Sequence, residues 1–167
     1  QNTVVGNSAL VGVDGSTTGS ENCIFGYFAG YDLTTGHGNC LMGRDAGQNL
    51  TTGYQNVMIG VNAGENAIGL QRSILIGANA GDAINSGVHG TIAIGYSALS
   101  SLTSGQYNTA IGFQSGKGLT NSGNNVSIGY DSFISAVDAC NSNVSIGVQS
   151  MRYVNGQVAD IPGDYPH

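Results

Sequence analysis

The stretch Glu21 to Gly64 reads ENCIFGYFAGYDLTTGHGNCLMGRDAGQNLTTGYQNVMIGVNAG, and it says nearly the same thing three times: NCIFG, NCLMG, NVMIG. A segment ending in TTG lies between the first two copies and again between the second and third. Taking the Gly of the motif as position zero, the pattern extends outward to Gly6, Gly26, Gly43, Gly60, Gly77, Gly95, Gly112, Gly129 and Gly147. The spacings are 20, 17, 17, 17, 18, 17, 17 and 18, so nine copies cover almost all of the 167 residues. Self-similarity at a fixed period of this length is the signature of a repeat architecture, in which each unit buries its apolar face against its neighbours.

Each position of the repeat has a character. One before the Gly stands a large apolar residue: Val5, Phe25, Met42, Ile59, Ile76, Ile94, Ile111, Ile128, Ile146. Three before it stand Thr3, Cys23, Cys40, Val57, Ile74, Ile92, Thr109, Val126 and Val144. Two residues apart, these files share one face of a strand. Three after the Gly the residue is always small (Ala29, Ala46, Ala63, Ala80, Ala98, then Ser115, Ser132, Ser150), and seven after it is always apolar. Four before it is Asn, with Ser73 and Thr91 as the two exceptions. A helical repeat would need a sustained 3.6-residue period and little Gly. Short extended segments turned by Gly point instead to an all-β fold, a parallel β-solenoid of about nine coils of roughly 17 residues. Gly suits the corner because it accepts positive φ and brings no side chain. The Asn file reads as a ladder of side-chain amides bonded from coil to coil. At ~4.8 Å per coil the rod is roughly 43 Å long.

The expected core is the Ile file one before the Gly, with Ile94, Ile111 and Ile128 buried against one another. The file two before the Gly then faces outward: Val4, Ile24, Leu41, Met58, Leu75, Ala93, Ala110, Ser127, Ser145. An exposed stripe of Val4, Ile24, Leu41, Met58 and Leu75 is a subunit interface, since a contiguous apolar patch is a liability on a monomer. A twisted coil that tucks this file inside is the alternative. The stripe shrinks toward the C-terminus, so the packing around it should change along the rod.

The repeats Asn108-Thr109-Ala110-Ile111-Gly112 and Asn125-Val126-Ser127-Ile128-Gly129, with a small residue three later and TTG turns, resemble the "NTAIG" repeat region of bacteriophage tail fibres. They are also similar to the head repeats of trimeric autotransporter adhesins. The resemblance covers about residues 2 to 151. It implies a left-handed β-roll in which three chains pack side by side, a handedness that runs against the usual crossover preference. It implies a structural and attachment role as the shaft or head of a trimeric fibre on a virion, or a bacterial surface adhesin or extracellular filament at the cell surface. The implied partners are two further copies, other fibre or virion proteins, and a host cell-surface glycan or protein.

Only 8% of residues are charged, and the formal net charge is −6 with four Lys plus Arg, which argues against nucleic acid or an anionic membrane as partner. No apolar run approaches the ~18 residues of a membrane span. Gly112-Phe113-Gln114-Ser115-Gly116-Lys117 resembles a P-loop fragment, but the spacing is one short and Gly118 stands where Ser or Thr should be. His37 and His89 read as surface residues. No Ser/His/Asp set shares a coil, and no carboxylate pair of the kind a polysaccharide-degrading tailspike needs is evident. The reading is therefore a non-enzyme with no cofactor and no metal. Cys23 and Cys40 share a file in adjacent coils, which puts their Cα atoms within disulfide range while their side chains point in parallel. Buried thiols filling an apolar file are the expectation. The aromatics after the Gly at Tyr96, Phe113 and Tyr130 fall in consecutive coils and should form a column. They are candidates for receptor contact or for stiffening the rod. The chain begins at Gln1 rather than Met and reads as processed or as a piece of a longer protein. Residues 1–156 form the repeat domain. Residues 157–167, with Pro162 and Pro166, are expected to leave it as a cap or a lead into a further domain, because Pro cannot donate to a ladder.

Overall fold

The computed structural model describes residues 1–136 and 140–154; the expected cap or linker at 157–167 lies outside them. Nine three-residue strands, one per repeat, line up as a single parallel sheet. They are β1 (Thr3–Val5), β2 (Cys23–Phe25), β3 (Cys40–Met42), β4 (Val57–Ile59), β5 (Ile74–Ile76), β6 (Ile92–Ile94), β7 (Thr109–Ile111), β8 (Val126–Ile128) and β10 (Val144–Ile146). A second parallel pair joins β9 (Ser135–Ala136) to β11 (Tyr153–Val154). Neighbours pair in the register of the sequence repeat: Cys23 opposite Cys40, Leu41 opposite Met58, Ile76 opposite Ile94. The chain is therefore an all-β solenoid, a β-roll whose coil is one repeat. The longer first spacing accommodates a 3-10 turn at Val13–Gly15.

Each strand stops at the motif Gly. These Gly residues have φ between +130° and +146°, a region closed to side chains. The stacking adds a second reason: a Cβ on Gly43 would lie 2.5 Å from the carbonyl oxygen of Gly60, and the other corners repeat this down the file. No other residue fits where one coil's corner rests on the next coil's backbone.

The strand faces are the reverse of the sequence expectation. In β2 to β8 the middle residue is fully buried and the two flanking residues point outward. Ile24, Leu41, Met58 and Leu75 are thus core, joined there by Ala93 and Ala110. The Ile file one before the Gly is on the surface; Ile111 is 37% exposed. The reason lies one turn of the pleat earlier. Asn22, Asn39 and Asn56 are buried, and the Nδ2 of each donates across the coil interior to a carbonyl: Gly36 at 2.9 Å, Gly53 at 2.9 Å and Leu70 at 2.7 Å. Alternation then carries the residue two after each Asn to the same inner side. The small file (Ala29 to Ser132) and the apolar file seven after the Gly (Leu33, Leu50, Ala67, Ile84, Leu102, Leu119) are buried as expected.

The Asn file is a continuous ladder where Asn persists. The Oδ1 of Asn22 accepts from both the backbone N–H and the Nδ2 of Asn39, each at 3.0 Å, and Asn39 does the same for Asn56. It resumes at Asn108, Asn125 and Asn143. Toward the C-terminus the inner core becomes partly hydroxylic: Ser115 Oγ lies 2.8 Å from Ser127 Oγ, and Ser132 Oγ lies 2.8 Å from Ser145 Oγ.

Candidate functional site

Among the described residues the coil interior is filled by buried side chains, so the candidate functional surfaces are files of outward side chains. The longest is the outer face of the nine-stranded sheet. Cys23 and Phe25, Cys40 and Met42, Val57 and Ile59, Ile74 and Ile76, Ile92 and Ile94, Val126 and Ile128, and Val144 and Ile146 stand side by side on it. Only Thr3 and Thr109 interrupt the apolar series. The residues assigned from sequence to a subunit interface do not lie here. Ile24, Leu41, Met58 and Leu75 are fully enclosed by their own chain, and only Val4, in the first coil, is exposed, at 38%. The signal that could have placed the face correctly was the Asn ladder: a buried amide fixes the parity of its strand.

The second surface is the aromatic column. Tyr96 and Phe113 stack with ring centroids 5.2 Å apart and planes 16° from parallel; Phe113 and Tyr130 follow at 5.4 Å and 12°. All three are exposed. Each sits two residues beyond an outward Ile, across the Gly corner, so the column edges the apolar face. Because the rings turn their faces to one another, Phe113 has both faces engaged, and the column offers solvent its edges and the two phenol hydroxyls. Sugar stacking on ring faces is thereby confined to the column's two ends.

A third group was not foreseen. The His37 ring stacks on Tyr54 with centroids 5.1 Å apart, and the Arg72 guanidinium lies 5.5 Å over the same Tyr54 ring while hydrogen-bonding its hydroxyl at 3.4 Å. Tyr54, Gln71 and His89 are joined by parallel bridges. His37 and His89, far apart in sequence, thus share a file running up the rod.

The fourth is the thiol pair. Cys23 and Cys40 are in direct register, unbonded, half-buried and on the outer face, not in the core. Burial first, then the neighbouring Cys23 and its hydrogen bond, hold the Cys40 thiol above its ordinary value. Cys140 is buried elsewhere. Among the described residues there is no group of three or more His, Cys, Asp or Glu placed to hold a metal, and no helix long and apolar enough to cross a membrane. Comparison with protein-family models, with curated proteins and with solved structures finds no match.

Proposed function

We propose that the chain is the shaft or head of a homotrimeric fibre, carried on a virion tail and serving attachment to a host cell. The observation that carries this reading is the outer sheet face. A largely apolar face across nine strands, mostly Val and Ile and broken only by Thr3 and Thr109, is far more than a monomer scatters on its surface. Covering a Val or Ile side chain contributes about 1.5–3 kcal/mol when it starts fully exposed, and these start half-buried, so each is worth about half of that. More than ten such residues per chain outweigh the several kcal/mol that association costs. The face is also in register from coil to coil, so a second copy in parallel repeats the same apolar positions along it. Three rods side by side resist bending, and they present a weak receptor site three times, which raises avidity. The receptor is a host-surface glycan or protein met by the edges and ends of the Tyr96–Phe113–Tyr130 column.

The test is the mass of the isolated chain in solution. Native mass spectrometry or light scattering should give three chains, and Ile76→Glu with Ile94→Glu should reduce it to one without loss of β structure. A wild-type chain that stays monomeric at tens of micromolar overturns the trimer. Tyr96→Ser with Tyr130→Ser should leave the mass unchanged and lower binding to host cells; undiminished binding removes the column as receptor site.

A further inference from the structure

We propose that Cys23 and Cys40 form a two-thiolate site for a soft, monovalent d10 cation, Cu(I) being the ion of that class available to proteins. The two residues face each other across adjacent parallel strands, both on the outer face and both free. Strands of a sheet lie about 4.7–4.9 Å apart, and in-register side chains leave them in the same direction. The Cβ atoms are therefore held near that spacing. A disulfide needs Cβ atoms about 3.5–4.5 Å apart and sulfurs about 2.05 Å apart, so closing one here would pinch the sheet. A bridging ion removes the conflict. Metal–thiolate bonds are on the order of 2.3 Å, so two sulfurs in line on one ion sit about 4.6 Å apart, the spacing the strands impose.

The donor set selects the ion. Thiolates favour soft cations, and the residues flanking the pair on the outer face bring no carboxylate or imidazole: Thr3 and Val57 flank it in register, with Phe25 and Met42 two residues along. Zn²⁺ would seek four ligands of the His, Cys or carboxylate kind, and no such group of even three exists among the described residues. Two-coordinate Cu(I) is satisfied by two. Met42, exposed on the same face as Cys40, offers a thioether as a third soft donor. Binding is an exchange without redox change at sulfur: Cu(I) plus two thiols gives the bis-thiolate complex and two released protons. Both thiols come from one chain, so the site does not require the trimer, and it lies on the outer face that the proposed trimer would cover.

The experiment titrates the reduced, metal-free chain anaerobically with Cu(I) buffered by a chromophoric Cu(I) chelator. Expected are one Cu(I) per chain, a near-ultraviolet thiolate-to-copper charge-transfer band, and a fall in pH in weakly buffered solution. Cys40→Val and Cys23→Val place in the file the residue it already carries at Val57 and Val126, so both variants should keep the wild-type β spectrum. Each should weaken binding at least 100-fold and abolish the band, and Cys140→Ser should change neither. Met42→Leu should weaken binding several-fold. Equal affinity in wild type and Cys40→Val, or no band at one equivalent, overturns the site. Ready closure of a Cys23–Cys40 disulfide in a mild thiol–disulfide buffer, with the fold retained, overturns the spacing argument and makes the pair a staple instead.

Discussion

Leu99 stands where its neighbours in the same file have Gly, and its side chain covers the next coil's Gly116: a Cβ placed on Gly116 would lie 2.7 Å from Leu99 Cδ2. Both residues have left-handed backbone, with φ of +51° at Leu99 and +64° at Gly116. The file four after the motif Gly reads Gly30, Gly47, Gly64 and Gly81 where the inner strand residue is Ile24, Leu41, Met58 or Leu75. It becomes Leu99, Phe133 and Met151 where the inner residue shrinks to Ala93, Ser127 and Ser145; the coil of Ala110 keeps Gly116, and Leu99 of the coil before it fills that space. The two files share one volume. On Gly64 a Cβ would meet Leu75 Cδ1 at 2.8 Å and Met58 Sδ at 2.9 Å. This explains why the inner stripe narrows toward the C-terminus: the core is refilled from the opposite side of the coil, in a conformation that costs Leu99 roughly 1–2 kcal/mol.

The shared volume makes a double-mutant cycle informative. Leu75→Ala should cost about 2–5 kcal/mol as a cavity. Gly81→Leu alone should also destabilise, because a Cβ there lies 2.9 Å from Leu75 Cδ2 and 2.8 Å from Ile84 Cδ1. Together they rebuild the Ala93–Leu99 arrangement one coil earlier. The double variant should therefore unfold at a higher denaturant concentration than either single one. Strict additivity of the two losses would show that the files do not share volume.

The Asn ladder predicts a large, local loss and a repairable gap. Asn39 receives two hydrogen bonds from Asn56 on its Oδ1 and gives two from its Nδ2, all in the buried interior. Asn39→Ala leaves the Asn56 N–H, its amide and the Gly53 carbonyl without that partner, so the cost should reach roughly 3 kcal/mol or more. Asn39→Asp should do no better, because a carboxylate cannot donate to Gly53. The gap is at Ser73 and Thr91, where the chain runs Asn56, Ser73, Thr91, Asn108 and the buried Thr91 Oγ1 has no partner. Ser73→Asn with Thr91→Asn restores the repeat, and the amide at 91 would face the Gly105 carbonyl as Asn39 faces Gly53. The double variant should gain about 1 kcal/mol, read as a higher thermal midpoint; a lower one would mean that the coil cannot hold two more amides.

The carboxyls of Glu65 and Asp82 are both held above their ordinary values, first by burial. For Glu65 the nearby Asp82 and Asp45 add to this and Arg44 opposes it; for Asp82 the Asn66 hydrogen bond opposes it. A carboxyl whose folded value is raised binds its proton more tightly when folded. It therefore destabilises the fold progressively as pH rises from the ordinary carboxylate range, near 4, through the raised value, and fully above that. Glu65→Gln and Asp82→Asn should accordingly raise the thermal midpoint at pH 7. The gain should vanish below about pH 4, where the wild-type side chains are neutral too. A gain that is equal at both pH values would have a packing origin instead.

How much of this was legible follows from parity and period. The period of 17 residues alone fixed one strand per repeat, the Gly corners, and the column at Tyr96, Phe113 and Tyr130, because stacked coils place equal positions over one another. Period does not say which strand face is inside. Hydrophobicity misled there, since the outward Ile76 and Ile94 are as apolar as the buried Leu75. The polar residue carried the answer: Asn56 must hide its amide within the coil to bond Leu70, and Met58 follows it inward. The Gly30–Leu99 file escaped notice because a left-handed Leu is rare enough that sequence alone gives no reason to look for one.

The inversion of the strand faces gives the sharpest contrast between neighbouring residues. Leu41 is fully buried, and Ile111, four coils from it in the outer file, is 37% exposed. A carboxylate at position 41 would be enclosed in the apolar core cluster, with no Lys or Arg buried among the described residues. Leu41→Asp should therefore fail to fold, since an unpaired buried charge costs several kcal/mol. Ile111→Asp puts the same charge at the solvent boundary of a single chain. It should leave the β-rich circular dichroism spectrum intact while weakening self-association, because the charge would then be buried only between copies. Measured together, spectrum and mass separate fold from assembly. A folded, soluble Leu41→Asp protein beside an unfolded Ile111→Asp protein would return the Ile file to the core and remove the outer face on which the proposed fibre would assemble.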